Sequence, residues 1–162
     1  MTEARNVTLR RAARDDADAV AEIWRLGWLD GHEGLVPPEL VDARTDESFR
    51  TRAAERVGDT TVAVVDNEVA GFVMVVDDEV EQVYISAAHR GTGVAGALLD
   101  EAERQVWANG HAEAWLAVVA GNARARAFYE RRGWRDDGPF VYAAATEAGP
   151  VDVPCHRYTK HV

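Results

Sequence analysis

At 162 residues the chain is long enough for one domain with a real core and short for two, so a single domain spanning 1–162 is expected. Hydrophobic residues make up 47%, yet no apolar run approaches the about 20 residues that cross a bilayer, which argues against a membrane protein. A formal net charge of −10 repels nucleic acid and anionic membranes; it draws cationic ligands, and equally serves plain solubility.

The N-terminus, MTEARNVTLRRAA, lacks the apolar segment of a secretory signal, and a cytoplasmic protein is expected. Residues 7–12 read as a first strand. Asp15 and Asp16 supply an N-cap for a helix through about Trp28, with Ala17, Val20, Ile23, Trp24 and Trp28 on its apolar face. The segment DGHEGLVPP, with two Gly and two Pro, breaks it. A second helical region covers about 38–57, in two pieces if Thr45 or Asp46 acts as a fresh cap. After Gly58 the period changes. TTVAVVD and VAGFVMVVDD, joined at Asp66-Asn67, read as a Val-rich hairpin, and a turn at Asp77-Asp78 leads into a strand over 79–86. A helix over 92–109 ends at Asn109-Gly110. A buried strand follows over 112–120, then a short helix within GNARARAFYERRGW stopped by Gly133. Two strands, 139–145 and 151–160, close the chain, and Pro154 suggests an edge or a bulge. The element order predicts an α/β sandwich with a mixed sheet, whose unit 79–120 is a right-handed parallel crossover.

Gly91-x-Gly93-x-x-Gly96 has the spacing of a dinucleotide-binding loop. Such a loop follows its strand directly, but here AAHR intervenes. The acid expected about 20 residues on, at the end of the next strand, is missing from AVVAGN. A nicotinamide-linked oxidoreductase is therefore disfavoured, and a GxxxxGK[ST] phosphate loop is absent. The physical capacity remains. Glycines let backbone N–H groups approach a ligand, a helix N-terminus points its positive end at the same place, and Arg90 adds charge: together an anion site suited to a pyrophosphate. An ordinary Gly-rich turn is the competing reading.

RGTGVA, 90–95, resembles the R/Q-x-x-G-x-G/A signature of the GNAT superfamily of acyl-CoA-dependent N-acyltransferases. Asn122-A-R-Ala125-R-A-F-Tyr129-E-R-R-Gly133-Trp134 resembles that family's N-x-x-A-x-x-x-Y-x-x-x-G-F pattern, with Trp in place of Phe. The element order fits across nearly the whole chain, while residues 1–60 match only in pattern. The resemblance implies a mostly antiparallel sheet of about seven strands with helices on both faces, and acetyl-CoA as co-substrate. It implies that the fourth and fifth strands part, that pantetheine bonds the backbone of Val83, Tyr84 and Ile85, and that Arg90, Gly91, Thr92, Gly93, Val94, Ala95 and Gly96 hold the pyrophosphate. Asn122 and Tyr129, seven apart, share a helical face about 10 Å apart along the axis. Asn122 would bind pantetheine or support the loop, and Tyr129 would reach the thioester as general acid, the alternative being a core tyrosine. Arg124 and Arg126 are candidates for the adenosine phosphates or for plain surface charge.

Transfer to an amine needs a base, since a lysine-like amine with a pKa of about 10.4 is protonated at pH 7. Glu81, then Glu79, are the candidates. Two apart on a strand, they are expected on the face of Val83 and Ile85, the alternative being solvated charges. A backbone N–H near Val83 would hold the developing oxyanion. An acyl-cysteine route through Cys155 would need a base and a lowered pKa, and His156 points to the opposite face. Cys155 is the only cysteine and the five His show no HxxxH pair, so no metal is expected. The family pattern places the acceptor near Trp24, Trp28, His32 and Glu33, with core packing the alternative role for at least one of the two Trp. Aromatic faces with acidic neighbours suit a small-molecule amine, an amino acid or a peptide N-terminus. A homodimer is compatible with the resemblance. A non-catalytic acyl-CoA sensor on the same fold is the alternative function.

Overall fold

The hairpin that opens the second third of the chain sets the sheet. In the computed structural model, which describes residues 6–162, Asp66 and Asn67 both take positive φ (51° and 64°). That is the geometry of a tight turn matched to strand twist. It joins β2 (Thr60–Val65) to β3 (Glu68–Val76), and Asp77 at φ 56° turns β3 into β4 (Glu79–Ile85). With β1 (Thr8–Arg11), β5 (Glu113–Val119), β6 (Arg135–Ala144) and β7 (Val151–His161) they form one seven-stranded sheet in the order β1-β2-β3-β4-β5-β7-β6. Every pairing is antiparallel except β4 with β5. The seven-stranded mixed sheet with helices on both faces is as expected.

Helices α1 (Ala17–His32), α2 (Pro38–Ala43) and α3 (Asp46–Glu55) precede the hairpin. On their side Trp24, Trp28 and Phe49 pack against Phe72 and Met74. Helices α4 (Val94–Ala108) and α5 (Ala123–Arg131) follow β4 and β5. On that side Leu98, Leu99, Ala102 and Val106 pack against Val73, Leu116 and Tyr158. Thr45 caps α3 by accepting the Ser48 N–H at 3.1 Å.

Several boundaries differ from the sequence reading, each for a local reason. Asp16 does not cap α1 with its side chain. Its carboxylate accepts Arg10 at 2.7 and 3.0 Å and the Ala13 N–H at 2.7 Å, closing a 3-10 turn ahead of the helix. Helix α1 runs on to His32, through Gly31, beyond the expected stop at Trp28. Helix α4 starts at Val94 rather than Thr92, because Gly93 takes the left-handed conformation (φ 88°) at its N-cap. β6 begins at Arg135, four residues early, with a register shift between Asp136 and Pro139. Pro154 lies not on an edge strand but on β7, between β5 and β6. It falls just past the last β5 pair, Val119 with Cys155, where no ladder N–H is needed. The N-terminal reading includes residues 1–5, which lie outside the described residues. No helix among the described residues is long and apolar enough to cross a membrane.

Candidate active site

Two irregularities in β4 create the site. First, its parallel pairing with β5 consists of one register pair, Glu79 with Trp115, anchored by the Trp115 N–H on the Asp78 carbonyl at 3.1 Å. Beyond it the strands diverge, and the β4 backbone facing β5 has no strand partner. A backbone edge left unpaired along a cavity takes its hydrogen bonds from water or from a ligand. Second, Met74 of β3 pairs with Gln82 while Val75 pairs with Val80, so Glu81 is the extra residue of a bulge. A bulge shifts the inside–outside alternation by one. Val80 therefore joins Val83 and Ile85 in the core under α4. Glu79 and Glu81 turn the other way, toward Tyr142 and Arg56. The expectation that both carboxylates share the face of Val83 and Ile85 is corrected by that one inserted residue.

A cavity of about 310 Å³ fills the opening. Val83, Tyr84, Asn122 and Tyr129 line it, as do Glu79 and Glu81. Ile85 does not; its side chain packs in the α4 core beside Gly71. The Tyr84 ring lies so close to α1 that a Cβ on Gly27 would stand 2.4 Å from its Cδ1, and one on Gly31 would stand 3.1 Å from Asn122 Nδ2. The two glycines of α1 are thus the wall against which β4 and α5 approach. Gly27→Ala would force the ring away. Overpacking costs about 1–3 kcal/mol against a helix-propensity gain of about 1. A net loss of about 1 kcal/mol, a fall of about 3 °C in Tm by calorimetry, is expected.

The carboxylates differ. Glu81 is clamped by Arg56 in a bidentate pair at 2.7 and 3.0 Å. Among the described residues Glu79 makes no ion pair, and its one hydrogen bond is from the Tyr142 hydroxyl at 3.2 Å. Burial first, then the neighbouring Glu81 charge, push its pKa up to about 7. Tyr129 lies edge-on to Phe128 and Trp134, and its hydroxyl donates to no other described residue. Burial pushes its pKa up to about 12. Phe128 packs in the core, as expected. Asn122 caps α5, its Oδ1 accepting the Ala125 N–H at 3.1 Å.

The glycine loop lies outside the cavity lining and is exposed from Arg90 to Gly93. Gly91 (φ 74°) and Gly93 (φ 88°) both need the left-handed conformation, and no side chain caps α4. Its first-turn N–H groups, at Val94, Ala95 and Gly96, are those a helix leaves without internal acceptors. The Val94 side chain is buried in the core, so only its backbone faces the loop. The Thr92 hydroxyl bonds the His89 carbonyl and fixes the turn. Gly96 serves packing, since a Cβ there would stand 2.8 Å from the Arg132 guanidinium. Asp30 of α1 receives Arg90 at 3.4 Å and Arg124 at 4.0 Å, drawing loop, α1 and α5 together. Arg126 is engaged by Asp136, the Tyr158 hydroxyl and the Ala120 carbonyl.

Of the acceptor candidates, Trp28 and His32 line the cavity, stacked at 4.8 Å. His32 Nδ1 donates to the Trp28 carbonyl at 2.9 Å, leaving Nε2 unprotonated, and burial holds its pKa down at about 4. Trp24 is fully buried between Phe49 and Phe72 and does not reach the cavity, a correction that follows from its place at the centre of the core. Glu33 is exposed at the end of α1, outside the lining, because the helix runs one turn further than expected. Cys155 lines the cavity, but burial pushes its thiol up to about 11, opposite to what a nucleophile needs. His156 is engaged by Asp136. Sequence reasoning missed Tyr142, Arg44 and Arg52, all lining residues. No group of His, Cys, Asp and Glu among the described residues could hold a metal ion.

The family model described as Acetyltransferase (GNAT) family matches residues 15–134, which include the cap of α1, the split strands, the glycine loop and Tyr129. The chain belongs to this family. It is accordingly an acyltransferase, as the two motifs implied. It is similar to an uncharacterized N-acetyltransferase of Mycobacterium tuberculosis, 27% identical over 133 residues, covering 76% of this chain and 85% of the relative. Among solved structures it superposes on the paia N-acetyltransferase of Thermoplasma acidophilum, in complex with coenzyme A, with a TM-score of 0.74 at 17% identity, covering 97% of this chain and 99% of that one. The yncA protein of Salmonella typhimurium, solved with its cofactor acetyl-CoA, gives 0.70 at 18% identity, covering 96% and 94%. The expected GNAT fold and acetyl-CoA as co-substrate accord with these matches.

Proposed function

We propose that this acyltransferase moves an acetyl group from acetyl-CoA to a primary amine by direct attack, with Glu79 as the base. The observation that carries the reading is the split between β4 and β5, with a half-buried carboxylate at its edge that makes no ion pair among the described residues. The chain's features fit the donor: an unpaired β4 edge for the pantetheine amides near Val83 and Tyr84, and the uncapped α4 N-terminus with Gly91 and Gly93 for the diphosphate. Bound acetyl-CoA supplies a thioester whose carbonyl carbon takes the amine nitrogen while the carbon–sulfur bond breaks.

Glu79 takes the proton the amine must lose. With a pKa of about 7 it is half ionised near neutral pH and basic enough to be useful, the compromise a general base requires. Glu81, held by Arg56 in a bidentate pair, is the weaker candidate and holds the bulge in place. A β4 backbone N–H near Val83, unpaired because β5 has turned away, faces the carbonyl oxygen as charge collects there. Tyr129 hydrogen-bonds the departing sulfur. Against a thiol pKa of about 8.5, a phenol at about 12 would lose its proton only over a step of about 5 kcal/mol. Tyr129 therefore acts chiefly as a hydrogen-bond donor, and the thiolate's proton comes through water.

Acetyl-CoA turnover across an amine panel, read by thiol release, tests this. Saturating CoA at 100 times its Kd should stabilise the fold by about 2.7 kcal/mol, a Tm rise of roughly 5–10 °C. Stabilisation by CoA with no turnover of any amine would mark an acyl-CoA sensor; no response to CoA would end the reading.

A further inference from the structure

At the acceptor end of the cavity two arginines stand without partners. Arg44 ends α2 and Arg52 lies on α3; both line the cavity. Among the described residues neither guanidinium makes a hydrogen bond or an ion pair, although every other arginine within α1–α3 and the turn that follows, apart from the exposed Arg50, has a carboxylate. Arg44 Nε and Arg52 Nη1 are buried with nothing to accept from them. Arg52 lies over the face of Trp24, 4.3 Å from its guanidinium carbon.

An arginine cannot shed its charge, and both of these are half-buried, so part of the cost of taking each cation out of water is left without a carboxylate to offset it. Here burial lowers the pKa of both, Arg52 to about 10, and the Arg44 charge adds to the effect on Arg52. The carboxylates nearby do not bond them: the Glu81 charge reaches Arg52, but its hydrogen bonds go to Arg56, and Glu79 bonds Tyr142. Nor does the glycine loop share their cavity, so a diphosphate held at the α4 N-terminus would not occupy them. His32 beside Arg44 presents a neutral Nε2, which can accept but not repel.

Resting on the acetyl-transfer reading, we infer that the acceptor is an amine that also carries a carboxylate, its amine presented to Glu79 and its carboxylate held by Arg44 and Arg52. Planar guanidinium groups match a carboxylate in two-point hydrogen bonds, and a site built on such bonds rejects an analogue that lacks them. The class is that of free amino acids and short acidic-ended amines, as opposed to diamines and polyamines.

The test uses the full chain with acetyl-CoA. Each common amino acid is compared with its own carboxamide, alongside putrescine and O-phosphoethanolamine, by thiol release. The best free acid should exceed its carboxamide about 100-fold in kcat/KM. Arg44→Met and Arg52→Met should reduce that ratio to about threefold or less by slowing the acid, while Arg52→Lys retains part of it and CoA stabilisation is unchanged in all three. Equal rates for acids and carboxamides, preference for putrescine, or preference for the phosphate ester would each overturn the inference. If no amine is acetylated, the transfer reading fails, and the inference is judged from thermal stabilisation of the CoA-loaded protein by the same compounds. A shift by free acids that carboxamides do not give, and that Arg52→Met abolishes, upholds it; no difference between the two sets overturns it.

Discussion

Glu79→Gln should lower kcat/KM for the amine by about 10²–10³-fold, the range of a lost general base, and should erase the acid limb of the pH profile. In the unmodified enzyme that limb has its midpoint near 7, because only ionised Glu79 can take a proton. Glu81→Gln should behave otherwise. It leaves Arg56 with one fewer partner and loosens the bulge, but the limb near 7 persists. If both variants keep the limb, the base lies elsewhere.

The same group makes a stability prediction of definite sign. Its pKa is raised on folding, from the ordinary carboxylate value to about 7, so the folded state binds the proton more tightly than the unfolded chain. Stability contributed by Glu79 is thus complete below about pH 4.5 and is lost as pH rises toward 7. Gln carries no such penalty. Glu79→Gln should therefore raise Tm at pH 8 relative to the parent and change it little at pH 4.5. A Tm difference independent of pH would mean that Glu79 is ordinarily solvated.

What could be read from sequence here was what is decided locally. The Asp66-Asn67 turn, the Thr45 cap, the stop at Gly133 and the two motifs depend on neighbours within a few residues, and they appear where expected. The direction of Glu79 and Glu81 was not legible, because the bulge at Glu81 exists only in the pairing with β3. Gly27 and Gly31 have no helical signal of their own. Their reason is the Tyr84 ring and Asn122, from elements more than fifty residues away. Nothing in the sequence around Arg44 and Arg52 sets them apart from the other charges of a polar helix pair. Only packing of α2 and α3 against the cavity reveals that they lack partners. Trp24 failed for the opposite reason: an aromatic at helical spacing beside Trp28 cannot be told from a site residue until the core is assembled around it.

Tyr129→Phe removes one oxygen and should lower kcat about 100-fold while leaving acetyl-CoA affinity within about twofold, because the lost hydrogen bond strengthens only as the sulfur takes charge. The ring is held on its own account. Phe128, Trp134 and Tyr158 surround it with centroids 5.3, 6.2 and 6.3 Å away, so Phe retains the packing and the hydroxyl alone is tested. No protein group loses a partner, since the hydroxyl bonds none of the described residues, and Tm should stay within about 2 °C. The rate defect should not vary between pH 6 and 9, as a phenol with a pKa of about 12 stays protonated throughout. Activated thioesters with better leaving groups should narrow the gap between Tyr and Phe. A defect equal for good and poor leaving groups would detach Tyr129 from the sulfur and leave it a packing residue.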